Sequence, residues 1–387
     1  MKKLSPLSKR NRLVFVSVLF ATLALSNWAC VSSPEKSENA LTPSKSVAAF
    51  SVKAPNEVSV MTFNVENLFD TLHDQGKEDY TYLPLAKKNT PEVKAACEKL
   101  TNNHYRNECF EMNWDEETLK VKMTNLAKVI LDLDGGQGPD VLIMAEVENE
   151  RVLKILSENY LQAAKYKNII LIEGPDNRGI DVAVMTRLDV IGKPELHKVD
   201  WKPQAGDNGE VMNRLRGLLQ VKVKLPDGTP LNIFSVHFPS QANPRHWREQ
   251  SLDSLLRRLT EVKDKKELFI AGGDMNITAE EEAETGFFSK KAANVGLVSH
   301  LVGCKTCEGS HSYRRSWSFL DVMIFSPTFN SADNNPNKWV LEKDSIDVIR
   351  YNPVHVNKYK APIRFSEEKK SGVSDHFPLY ARIKKLP

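Results

Sequence analysis

Between residues 58 and 385 the chain alternates short apolar, β-branched runs with stretches whose apolar residues recur every three or four positions. VSVMTFNV (58–65), GPDVLIMAE (138–146), NIILIE (168–173), IDVAVMT (180–186), ELFIA (267–271), SFLDVMIFS (318–326), KWVLE (338–342) and FPLYARI (377–383) predict strands. LLQVKVK and LNIFSVH flank the turn PDGT, so residues 218–237 predict a β-hairpin. Leu119, Met123, Leu126 and Ile130 fall on one face of a predicted helix over 116–131, and ERVLKILSENYL (150–161) predicts another. A further helix over 244–262 turns Trp247, Leu252, Leu255, Leu256 and Leu259 inward, and Thr278 with Glu281 forms a capping box that starts the next. Strands and helices mix without an internal repeat, and no Pro/Ser-rich break recurs after residue 57. The expectation is one large α/β domain over 57–387.

The flanks read differently. Residues 71–114 form a polar insert containing Cys97 and Cys109, and 31–56, rich in Ser, Pro, Ala and Lys, predict a flexible tether. Residues 1–30 have the form of an export signal: Lys2, Lys3, Lys9, Arg10 and Arg12, then LVFVSVLFATLAL, then small and polar residues up to Cys30. That apolar run of about thirteen residues is shorter than the roughly twenty needed to span a bilayer. Cleavage before Cys30 with lipid attached to it resembles a bacterial lipoprotein signal, although SNWAC departs from the usual residues before the cysteine. Such a lipid would be the only membrane anchor expected, and the location would be periplasmic, outer-membrane or extracellular.

Charge narrows the partners. The net +3 arises in the first thirty residues, which hold five of the 53 basic residues and no acid. The remainder is slightly acidic, so the overall field gives no support to a polyanionic partner. Four cysteines follow Cys30, an even set suited to an oxidising compartment. Local pairing, Cys97 with Cys109 and Cys304 with Cys307, closes the shortest loops; a zinc or thiol-exchange site at CKTC is the alternative.

Polar acids, amides and histidines recur at the ends of the apolar strands: Asn64, Glu146, His237, Asp274, Asn276, Asp321 and the triplet Ser374–Asp375–His376. Singly, each also reads as a strand cap, a turn residue or a satisfied core polar group. Strands of one sheet that each deliver such a group at an end can converge on one pocket.

Taken in order, TFNVENLFD, RGIDVAVMTR, GGDMN and SDHFP resemble the endonuclease/exonuclease/phosphatase superfamily over residues 58–385, especially an exported bacterial branch. The resemblance implies a four-layer α/β/β/α sandwich of two packed mixed sheets and metal-dependent cleavage of phosphate esters. Glu146 would hold Mg²⁺ or Mn²⁺ with Asn64 beside it and Asp375 as a further ligand. Asp274 would orient and deprotonate the attacking water while Asn276 grips a phosphate oxygen. His376, kept cationic by Asp321, would contact the phosphoryl group, and His237 would serve the leaving group or, alternatively, be a packed strand histidine.

Substrate is less constrained. Arg178, Arg214, Arg216, Arg245, Arg314 and Arg315 lie near predicted strand ends and could grip phosphates, and Tyr313 and Trp317 could stack on a base; solvated arginines and a buried tryptophan are the plain alternative. The expected activity is a nuclease of low sequence preference. A phospholipid (sphingomyelinase-like) or inositol phosphate enzyme comes second and a non-catalytic surface binding module third. No obligate protein partner is implied.

Overall fold

The structure is a computed structural model that describes residues 47–331 and 335–387. The export signal and most of the tether lie outside the described residues. Fifteen strands occur among these residues. In chain order they are β1 Glu57–Leu68, β2 Val141–Val147, β3 Asn168–Leu171, β4 Asp181–Thr186, β5 Asp189–Val190, β6 Glu195–His197, β7 Leu218–Lys224, β8 Pro230–His237, β9 Leu268–Asp274, β10 Leu297–Val298, β11 His311–Tyr313, β12 Ser316–Ser318, β13 Asp321–Phe325, β14 Trp339–Val348 and β15 Leu379–Lys385.

One sheet runs β14–β15–β1–β2–β4–β3 and the other β10–β13–β9–β8–β7–β5, with β6 also on β7. Only β1/β2 and β8/β9 are parallel pairs, and each is joined by a helical crossover, Glu116–Ile130 in the first and Arg245–Asp264 in the second. Parallel neighbours need such a connection, whereas β7 and β8 are joined by the predicted tight turn around Gly228.

Alternation along the strands builds the four layers. Val58, Val60, Ile143, Val184, Ile233, Ile270 and Met323 share the core between the two sheets. Met61, Phe63, Leu142 and Met144 point the other way, onto a core shared with Leu119, Met123, Leu126 and Ile130 of the first crossover helix. Phe234, Val236, Phe269 and Ala271 pack likewise under Leu252, Leu255 and Leu259 of the second. The four-layer α/β/β/α arrangement therefore follows from period-2 strands that are apolar on both faces.

One expectation changes. The tether is not free to its end: Ala49 is fully buried, and Arg382 Nη2 donates to Ser51 O at 2.7 Å, so the packed domain starts near residue 47. The polar insert has structure of its own. Its helices Pro91–Glu98 and Asn103–Glu111 are joined by the Cys97–Cys109 disulfide around a small core with Leu83 and Val93. Cys304–Cys307 is the second disulfide, and both match the local pairing expected.

Candidate active site

The directions of the strands place the polar residues at one rim. Asn64, Glu146, His237 and Asp274 lie at or near the C-terminal ends of β1, β2, β8 and β9. Arg178, Arg216, Asp321 and His376 lie at or just before the starts of β4, β7, β13 and β15, which run antiparallel to those strands and so begin at the same rim. Parity does the rest for β1 and β9. Residues 58 and 60 face the inter-sheet core, so 64 faces the same way; 268 and 270 carry 274.

Glycine makes that convergence possible. A Cβ on Gly272 would sit 2.9 Å from Ile143 Cδ1 and 3.3 Å from Thr62 Cβ in the facing sheet. Gly273 has φ +148°, and a Cβ there would lie 1.9 Å from Val236 O. Two glycines thus let β9 press into the facing sheet and against its neighbour β8 just before it delivers Asp274.

Glu146 breaks the parity. Leu142 and Met144 point to the outer helical layer, and an undisturbed strand would send residue 146 after them. Its φ of +64°, at a register shift in both the β1/β2 and β2/β4 ladders, turns it into the rim instead. The matching irregularity in β1 holds Glu66 and Asn67 at φ +52° and +57°, and Asn67 N–H donates to Glu146 Oε2 at 3.1 Å.

Asn64 Nδ2 donates to Glu146 Oε1 at 3.1 Å and to Asp274 Oδ2 at 3.0 Å, while its Oδ1 accepts from Glu66 N. It therefore brackets the two carboxylates. Asn276, expected on a phosphate oxygen, spends its amide on Phe238 O (3.1 Å) and Asp274 Oδ2 (3.2 Å), and its backbone N–H on Asp274 Oδ1 (2.8 Å). In this structure it braces Asp274.

Two histidines flank Asp274 Oδ2: His237 Nε2 at 3.7 Å and His376 Nε2 at 3.9 Å. Their charges differ. His376 is buried, which disfavours its cation, but Asp321 accepts from its Nδ1 at 2.7 Å and, with Asp274 also near, holds it well above the usual imidazole range. His237 is held well below that range by burial and then by Arg216 and Arg178. Burial raises the Asp274 carboxyl to about 7, against the opposing pull of His376. The rim thus holds a cationic histidine, a neutral one, and a carboxyl poised between its two forms.

Arg178 and Arg216 both lie 3.3 Å from Asp176 Oδ2, leaving one net positive charge beside His237. Arg216 is 8% exposed and its Nε has no partner. Arg214 is exposed, and Arg245 is engaged outside this cluster by Glu249 and Glu284 at 3.3 and 3.2 Å. Trp317, expected as a base platform, is half-buried with its ring stacked on Phe377, so it serves the core; Tyr313 is 63% exposed.

Several contributors have no role assigned to them by the sequence. Arg364 Nε donates to Glu66 Oε1 at 2.6 Å and its Nη2 lies 3.6 Å from Asp375. Lys122 is fully buried and donates to Glu66 O and Val373 O, tying the β1 irregularity to the segment before His376. The His311 ring leans on that of His376 with centroids 4.9 Å apart. Ser374 Oγ donates to Asn64 O at 2.7 Å. These pairs join positions far apart in the chain, and only Ser374, inside SDHFP, carries a local signal.

Ligand atoms of Glu146, His237 and Asp274 lie within 4.8 Å of one another, and those of His311, Asp375 and His376 form a second such group. Asp375, expected to share an ion with Glu146, falls in the second. The first group fits a hard divalent cation: two carboxylates are pressed together through one bridging amide, and Glu146 stays partly open to solvent.

The fold is thus a sandwich of two sheets with carboxylates, histidines and arginines gathered at one rim, where strand ends supply the polar groups. The chain belongs to the Endonuclease/Exonuclease/phosphatase family, whose model matches residues 95–385. Members of this family hydrolyse phosphate esters. No curated protein sequence matches the chain. Among solved structures it is similar to an endonuclease/exonuclease/phosphatase family protein from Bacteroides thetaiotaomicron (14% identity, 87% of this chain and 100% of that one, TM-score 0.49). It is also similar to truncated Caenorhabditis elegans TDP2 (14%, 85% and 97%, 0.46). A third is the B. thetaiotaomicron mannosyl-6-phosphatase (15%, 84% and 99%, 0.46).

Proposed function

We propose that the chain is an exported, divalent-metal-dependent phosphodiesterase acting as a nuclease of low sequence preference. The observation that carries this reading is one buried carboxylate, Asp274, flanked by two histidine Nε2 atoms at 3.7 and 3.9 Å, one ring fixed by Asp321 and the other near Arg216 and Arg178. Hydrolysis of a phosphate diester needs its charge neutralised, a water deprotonated and aimed, and the leaving oxygen stabilised. Asp274 is the base, held in one orientation by Asn64 and Asn276. His376, a cation fixed by Asp321, hydrogen-bonds the phosphoryl oxygen in which charge develops. His237 stands on the other side of Asp274, where its Nε2 meets the leaving oxygen, and Arg178 and Arg216 draw the substrate's phosphate towards it. Glu146 would hold Mg²⁺ or Mn²⁺, which supplies Lewis-acid stabilisation of phosphate charge when bound.

Export rests on the composition of residues 1–30 and on two disulfides, a feature of oxidising compartments. Among the described residues no helix is long and apolar enough to cross a membrane.

The test is turnover by the purified chain, with Mg²⁺, with Mn²⁺ and with EDTA. The panel is single-stranded and duplex DNA, RNA, bis(p-nitrophenyl) phosphate, sphingomyelin and inositol phosphates. Cleavage of nucleic acid and of the small diester that EDTA abolishes is expected. Turnover confined to phosphate monoesters or to sphingomyelin would replace this reading with another within the family.

A further inference from the structure

The β11–β12 hairpin stands beside the rim, and its tip is used by nothing so far described. Its foot is fixed. His311 bridges to His376 through the backbone, Phe377 N donates to Ser310 O at 2.7 Å, and Asp321 N donates to Ser310 Oγ at 2.9 Å. Trp317 anchors its inner face by stacking on Phe377. The foot therefore touches both members of the His376–Asp321 pair.

The tip is the opposite. Tyr313 pairs with Ser316, so Arg314 and Arg315 alone make the loop, at φ +49° and +70°. Positive φ at both central residues is what a two-residue hairpin of this hand requires, and Asn-Gly meets it at least cost. Two arginines there are a poor choice for folding. Residues 313–316 are all exposed, and neither arginine makes an ion pair among the described residues; Arg314 lies over the Tyr313 ring at 5.2 Å. Strained backbone that presents unpaired charge is characteristic of binding elements. Direction points the same way: residues i and i+2 of a strand share a face, so Tyr313 lies on the side of β11 that carries His311 against His376, roughly 7 Å further along.

We propose that this hairpin is a clamp for single-stranded nucleic acid, in which Tyr313 stacks on an unpaired base next to the phosphate being cleaved and Arg314 and Arg315 hold the flanking phosphates. The proposal rests on the phosphodiesterase reading and adds the strandedness of the substrate. An exposed aromatic ring on a rigid stem can receive a base only where that base is free of its own stack, as in a single strand. The slightly acidic body of the chain requires cations that are local, and the tip supplies two that no acid neutralises.

The experiment is fluorescence anisotropy of labelled (dT)12 and (rU)12 with the full chain over a salt series, beside the same dT strand annealed to dA. Wild type should prefer the single strands, and the two arms show whether deoxyribose or ribose is favoured. Tyr313→Ala should weaken single-strand binding roughly tenfold and duplex binding far less. Arg314→Asn with Arg315→Gly installs residues that suit the turn. It should raise the melting temperature yet lower the slope of log K against log salt by about 1.4, the value for two phosphate contacts on a single strand. Equal wild-type affinity for duplex and single strand would overturn the proposal. So would wild-type salt dependence in the double variant, whose gain in stability excludes misfolding as a cause. The readout is binding, so it is answered whether or not the chain turns over a phosphodiester.

Discussion

At the scale of single residues, the site works by setting charge states. Glu146→Gln, Asp274→Asn and His376→Ala should each lower kcat at least ~100-fold with circular dichroism unchanged, because each removes a charge or donor aimed at the transition state. Near wild-type turnover in all three would refute the assignment. Asp321→Asn tests the cause of the His376 charge. His376 acts as a cation, so activity is lost as pH rises through its pKa, which Asp321 holds high. Without that carboxylate the alkaline limb of the pH–rate profile should move to lower pH; an unmoved alkaline limb would show that Asp321 has no part in charging His376. Lys122 acts only through position. Lys122→Met leaves the carbonyls of Glu66 and Val373 without a donor in a dry interior, at about 1–3 kcal/mol each. Urea unfolding should report that loss.

At the scale of elements, the site depends on departures from regular strand geometry. Gly273→Ala meets a backbone oxygen that cannot move away, and should cost roughly 3 kcal/mol or more; Gly272→Ala meets chiefly the end of the Ile143 side chain and should cost about 1–2 kcal/mol. Equal costs would contradict this account of the approach of β9. The disulfides should differ too. Cys97 and Cys109 are buried, whereas Cys307 is partly exposed, so mild dithiothreitol followed by alkylation and mass mapping should label 304 and 307 first. These departures also explain what the sequence hides. The alternation of VSVMTFNV and of ELFIAGGD reads directly as two-faced strands, and Asn64 and Asp274 follow from parity. Glu146 does not, since parity sends it outward with Met144 and only a left-handed backbone brings it in. Asn276 has the expected place but different partners, because which side of an amide faces a carboxylate depends on neighbours from other strands. Lys122, Arg364 and His311 meet the rim through contacts between distant positions, which no local pattern encodes. Thr278 caps its helix as the sequence predicts, yet Glu281 turns to Arg248 at 2.7 Å instead of completing the capping box.

For the whole molecule, the buried ionisable groups set how stability varies with pH. His300 and His311 are lowered to about 4 and His355 to about 3, all chiefly by burial. The unfolded chain therefore takes up more protons than the folded one from pH 6.5 downward, and these groups favour unfolding as pH falls. Glu148 is raised to about 9, and Asp181 and Asp274 to about 7, again by burial first. Here the folded chain holds the extra protons, from about 4.5 upward, and stability is lost as pH rises through those values. Between about 4.5 and 6.5 the two sets oppose one another. Below that window the raised carboxyls are protonated in both states, and the histidines, His237 among them, act together with Asp115 and Asp227, whose carboxyls are held down at about 2. Above it the histidines with lowered pKa values are neutral in both states and the raised carboxyls act with His376, opposed above about pH 8 by Lys88 and Lys122, which burial lowers to about 8. Urea unfolding in EDTA should therefore give a broad maximum within about pH 4.5 to 6.5 with a fall on each side, each full pKa unit being worth about 1.4 kcal/mol. Glu148 supplies the test of cause. It is 2% exposed, with Oε2 accepting from Asp70 N at 2.7 Å and Oε1 without a partner. Glu148→Gln keeps the acceptor and cannot ionise, so the variant should match wild type near pH 5 and exceed its stability at pH 8. A variant whose alkaline fall parallels that of wild type would place the cause elsewhere in the molecule.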